Sequence, residues 1–171
     1  MRWASRHKYV YLGIVLILVV GTVLFFPFFG DSFVLILREQ GESQPLITRA
    51  VNAHDRLIFH WIHSFELIPW TEEYTVEADG TFVLHTITVA GFGAGIPANK
   101  GVTFIEDGMV VMRSIEERFD RFTWLHSQTA LTSITIEGTT FINGADVEHH
   151  LPVELLVKGT QNVWKRFHWM R

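Results

Sequence analysis

The chain has 171 residues, 48% hydrophobic and 19% charged, with a net charge of −4 when histidines are neutral and no cysteine. All 18 acidic residues lie after position 30, with 11 of the 14 lysines and arginines, so that part carries −7. An acidic domain excludes nucleic acid as a partner, because phosphates require a basic surface. Without cysteine, neither disulfide bracing nor lipid attachment at cysteine is open to it.

In chain order, Arg2, Arg6, His7 and Lys8 make residues 1–8 a cationic lead, followed by an uncharged run over 9–29, YVYLGIVLILVVGTVLFFPFF. Roughly 20 apolar residues span a bilayer as a helix, since every backbone group there must be bonded within its own segment. A secretory signal has an apolar core of only about 7–15 residues and a small-residue cleavage site. This run is longer and closes on Pro27, Phe28, Phe29, Gly30, Asp31 and Ser32. The expectation is an uncleaved anchor held in membrane lipid through residues 9–29. The cationic flank stays cytoplasmic, which places residues 30–171 outside as one domain. Localisation is thus the cell membrane, single-pass, with the N-terminus cytoplasmic.

Beyond the anchor, Asp79-Gly80, Asp107-Gly108 and Asn143-Gly144 are hairpin-turn dipeptides among β-prone residues, and Glu137-Gly138 is a weaker fourth. They predict strands over 33–38, 57–63, 73–77, 81–89, 102–105, 109–113, 122–126, 131–137, 140–143, 152–157 and 163–169. Residues 43–45 read as a short polar break. The helix-like spacing of Ile115, Phe119 and Phe122 allows one short helix. The class expected is mainly β: an antiparallel β-sandwich or barrel-like extracytoplasmic domain preceded by one transmembrane helix.

Two segments carry more chemistry than the rest. The first runs Trp61-Ile62-His63-Ser64-Phe65-Glu66-Leu67-Ile68-Pro69, with Glu72, Glu73 and Tyr74 after it. The second is Gly91-Phe92-Gly93-Ala94-Gly95-Ile96-Pro97. As a strand, the first would turn His63 and Ser64 to opposite faces, which opposes a Ser–His nucleophilic pair. No G-x-S-x-G elbow is present either. His60, His63, Glu66, His85, His149 and His150 are metal-capable, but their spacing matches no H-E-x-x-H or zinc-knuckle pattern. The plain reading of His63 and Glu66 is that they satisfy turn or buried polar groups. The glycine segment lacks a Walker lysine and the G-x-G-x-x-G fingerprint, and reads as a loop needing positive φ or close approach. A sharper reading has its bare amides, beside Ser64, hold an anion or a partner's carboxylate.

Together these segments resemble the DUF1850 family, whose pattern joins an aromatic-x-His-Ser run, a Glu and Pro, a Glu before an aromatic, and a later Gly-Ala-Gly-x-Pro. One extra residue between Pro69 and Glu72 leaves Glu72 and Glu73 both eligible as the matching acid. The resemblance implies context: such proteins accompany TRAP transporters of the TAXI type, which import organic anions with an extracytoplasmic binding protein. The expected role is therefore a non-enzymatic accessory protein that meets a transporter subunit or the solute-binding protein and needs no cofactor. Its interaction residues would come from His63, Ser64, Glu66, Glu72, Glu73, Gly93, Ala94, Gly95 and Pro97. The alternative is a sensor that binds a small ligand or metal through His63, Glu66 and Glu73. The C-terminal Trp164-Lys165-Arg166-Phe167-His168-Trp169-Met170-Arg171 reads as a last strand, or as a strip resting on lipid headgroups.

Overall fold

Leu35 and Leu37 are fully buried while Ile36 between them and Arg38 after them are not, the two-residue period of a half-buried strand. The computed structural model describes residues 32–93, 95–97 and 100–159, and Ile14 alone of those before them. Apart from Ile14, the anchor expected over 9–29 lies outside the described residues, as do the strand expected over 163–169 and Ala94. Among the described residues no helix is long and apolar enough to cross a membrane.

Eleven strands follow in order: β1 (Ser32–Glu39), β2 (Pro45–Asn52), β3 (Arg56–Ile62), β4 (Pro69–Val76), β5 (Phe82–Val89), β6 (Val102–Glu106), β7 (Met109–Phe119), β8 (Arg121–Leu125), β9 (Leu131–Ile136), β10 (Thr139–Asn143) and β11 (Pro152–Gly159). They form two antiparallel sheets, one ordered β2-β1-β11-β8 and the other β10-β9-β3-β4-β5-β7-β6. The protein is mainly β, as expected. Its inward side chains share one core, in which Leu35, Leu37 and Leu155 of the smaller sheet join Leu57, Phe59, Ile87 and Ile134 of the larger. Aromatic rings bridge the sheets: Phe122 of β8 lies 5.1 Å from Phe59, 4.8 Å from Tyr74 and 4.7 Å from Phe82.

Three sequence expectations change. β2 fills part of what read as a break and unassigned chain. It is an edge strand with only Val51 buried, so its pattern is faint. The segment around Ile115 is extended rather than helical, because β7 runs through it and Asp120 alone separates it from β8 in the other sheet. Ser114 and Glu116 take positive φ there, and the register against β5 jumps from Leu84–Glu117 to Thr86–Arg113. That irregularity gives the helix-like spacing its physical cause: a bulge resets side-chain parity. His85 is the matching extra residue on β5, so burial at Phe82 and Leu84 resumes at Ile87 and Val89. Finally, Asn143-Gly144 is not a hairpin turn. It opens a 3-10 turn over Gly144–Asp146, whereas Glu137-Gly138 has both residues at positive φ and joins β9 to β10.

Candidate functional site

The register of β4 against β5 decides where the two marked segments go. Trp70 pairs with Val89, and the Ala90 N–H donates to the Pro69 carbonyl at 3.1 Å. The chain before Pro69 and the chain after Val89 therefore leave the larger sheet side by side. Between β3 and β4, residues 63–68 form a turn closed by His63 N–H to Ile68 O at 2.8 Å and Leu67 N–H to His63 O at 2.9 Å. Leu67 adopts positive φ to close it. The His63 Nδ1 accepts the amides of Phe65 at 3.3 Å and Glu66 at 3.0 Å, so the neutral ring carries its proton on Nε2.

β3 ends at Ile62, so the alternation that would part His63 from Ser64 does not apply. His63 stacks on Trp70 with ring centroids 5.7 Å apart and planes 7° from parallel. The glycine loop meets this turn. A Cβ on Gly93 would stand 2.7 Å from Glu66 Oε1, one on Gly95 3.9 Å from His63 Nε2, and one on Gly91 3.3 Å from Ile68 Cδ1. Gly95 has φ +85°, a conformation that favours glycine, and Ile96 N–H donates back to Gly93 O across the turn. Pro97 is half-buried beside it.

Beneath these loops lies a cleft of about 320 Å³ lined by Trp61, Ile62, His63, Ser64, Trp70, Glu72 and Ala130. Glu72 points inward on β4, while its neighbour Glu73 points the other way and pairs with Arg56 at 3.6 Å. Of the two acids the sequence left open, Glu72 is the one in the cleft. Its Oε2 accepts the Trp61 indole N–H at 3.2 Å and the Tyr74 hydroxyl at 3.1 Å. Burial raises the Glu72 carboxyl above its ordinary range. The bonds from Tyr74 and Trp61 and the charge of Lys100 act in the opposite sense but do not prevail. The Trp70 N–H also favours the charged form, though it is buried without closing a hydrogen bond. Burial, followed by the Glu72 charge, pushes the Tyr74 phenol well above its usual value, so Tyr74 stays a donor.

The remaining candidates disperse. Ser64 is exposed at the cleft rim, and with His63 Nδ1 occupied by turn amides that nitrogen is closed to a serine hydroxyl. His85 bridges Thr75 and Glu116, and His60 lies 3.5 Å from Thr135. His149 and His150 do not diverge as an extended pair would; their ring centroids are 3.9 Å apart, with His150 at positive φ. Among the described residues no three His, Asp or Glu gather as a metal-ligand group. Two groups escaped the sequence reading, Lys100 and Glu117. They form an ion pair whose charges act on Glu72 and Tyr74. Their only signal was position, since the β-bulge that turns Glu117 inward leaves no pattern to read.

Fold and site define a class: a two-sheet antiparallel β domain with an aromatic-walled cleft where two loops converge at one end. Residues 57–142, from β3 to β10, match the family described as a domain of unknown function, DUF1850. The chain belongs to that family. No curated protein and no solved structure matches it.

Proposed function

We propose that the protein is a membrane-anchored extracytoplasmic accessory protein that contacts a partner through the paired-loop end of a sandwich-like β domain. One observation carries this reading. Phe65, Leu67 and Phe92 are 77%, 75% and 63% exposed, and all three sit on the two loops that meet at one end of the larger sheet. Large apolar side chains gathered at one place mark interaction surfaces more often than solvent-facing decoration. The core lacks room for them, because Phe59, Tyr74, Phe122 and Trp124 already fill the space between the sheets.

Family resemblance suggests the partner: a subunit or solute-binding protein of a TAXI-type TRAP transport system. The anchor expected over 9–29 would hold the domain where such components work. The test is co-purification of the full-length protein from native membranes, beside the double variant Phe65→Ser, Phe92→Ser. The wild type is expected to retain a transport component that the variant loses at unchanged thermal midpoint. Recovery of no transport component, or equal recovery by both forms, defeats the proposal. Topology is tested separately by adding protease to intact spheroplasts, where the domain is expected to be digested.

A further inference from the structure

The cleft has a chemistry that contact through the surrounding loops does not use. We propose that it binds a small organic ammonium cation, with Trp61 and Trp70 as aromatic walls and the Glu72 carboxylate as counter-ion.

The charges facing Glu72 come first. Trp61 from β3, with Trp70 and Tyr74 from β4, offers only neutral donors, and His63 from the turn is engaged through Nδ1 as an acceptor. Lys100, from the segment before β6, is the cation whose charge reaches Glu72, and it is paired with Glu117 of β7. Among the described residues, two carboxylates and one ammonium leave one negative charge in excess. A proton is one remedy for that excess, and a ligand cation is the other.

The walls decide which cation. Phe59 stacks on Trp61 with centroids 5.8 Å apart and His63 stacks on Trp70 at 5.7 Å, so both indoles are fixed in plane. Indoles attract ammonium groups through the ring quadrupole and suit weakly hydrated, alkylated cations best. A hard metal ion needs six or more oxygen ligands, whereas the side chains lining this cleft offer only one carboxylate and the Ser64 hydroxyl as oxygen donors, beside the His63 ring. Both hydrogen bonds to Glu72 end on Oε2, leaving Oε1 without one among the described residues. An anion is disfavoured by the Glu72 carboxyl in the cleft lining. A volume of about 320 Å³ sits at the small end of ligand pockets, so the ligand is small.

The experiment is calorimetric titration of the full-length protein in nonionic detergent with choline and with its uncharged isostere, 3,3-dimethylbutan-1-ol. Choline is expected to saturate one site per chain and to bind at least about tenfold more tightly than the alcohol. Glu72→Gln is expected to reduce choline to the level of the alcohol. Should that variant fail to fold, Ser64→Lys, which sets a fixed cation at the exposed rim, is expected to weaken choline about tenfold. The proposal is overturned if choline shows no saturable binding up to about 10 mM or if the alcohol binds equally well. It is overturned equally if choline affinity is unchanged in folded Glu72→Gln or, failing that, in Ser64→Lys.

Discussion

Glu72 occupies an inward β4 position that its alternation with Trp70 and Tyr74 assigns to the core side, yet it is a carboxyl group. Three aromatic neighbours desolvate it, and two of them donate to the same oxygen. The pH consequence has a definite sign. Its folded-state pKa is raised, so the associated stability is complete below the ordinary carboxylate range and is lost as pH rises through the raised value. Glu72→Gln is neutral throughout. Between about pH 4 and about pH 8, the stability difference should therefore move in favour of the variant. Urea titrations of both forms at the two ends of that range check it; a constant difference refutes it. His126 shows the opposite solution to burying a polar ring. It is fully buried, its Nε2–H donates to the Gly144 carbonyl at 2.8 Å, and its Nδ1 accepts from Trp124 at 3.4 Å.

Turns show how far dipeptide chemistry reaches. Asp107 and Gly108 both have positive φ and close the β6–β7 hairpin, and Gly108 has open space around it. Gly144 has ordinary φ, but a Cβ there would lie 1.7 Å from the Leu131 carbonyl oxygen. The two glycines are thus required for different reasons, one conformational and one steric. Gly108→Ala should cost about 1 kcal/mol, the usual penalty for a left-handed residue. Gly144→Ala must displace backbone and should cost at least about 3 kcal/mol, or prevent folding. Chemical denaturation distinguishes them; equal costs would mean that the 3-10 turn moves freely. Strand existence was legible from alternation and turn residues for ten strands, while edge strand β2 was not, because its polar positions outnumber its single buried one.

The two sheets depend on each other through aromatic contacts between chain segments far apart in sequence. Phe59 packs against Trp61, Tyr74, Phe122 and Trp124, so it touches both sheets and the cleft wall at once. Phe59→Ala should cost about 3–5 kcal/mol and loosen the plane of Trp61, seen as a lower thermal midpoint with altered near-ultraviolet dichroism. A loss under about 1 kcal/mol would show that the sheets are joined elsewhere. The ends of the domain differ in use. Phe33 at the start of β1 and Gly159 at the end of β11 lie together, and Phe33 and Val157 also lie beside the Gly80 turn. β4 runs from the cleft end at Pro69 toward that turn, so Phe33 and Gly159 lie at the end remote from the loops.

Composition, turn dipeptides and two-residue periodicity were enough to determine an acidic, mainly β domain without disulfides, because burial on one face of a strand is a local property. The His-Ser and Gly-Ala-Gly segments were likewise visible in the sequence, and so was the family they resemble. Their meeting was not. It depends on β4 and β5 pairing Trp70 with Val89, which sets residues 63–68 beside residues 91–97. The choice between Glu72 and Glu73 also waited on the tertiary structure: the one-residue step between them sends one carboxyl into the aromatic cleft and the other toward Arg56 at the outer face. Spacing along a chain gives side-chain parity only after strand limits and bulges are known, and those are fixed by how the sheets pack.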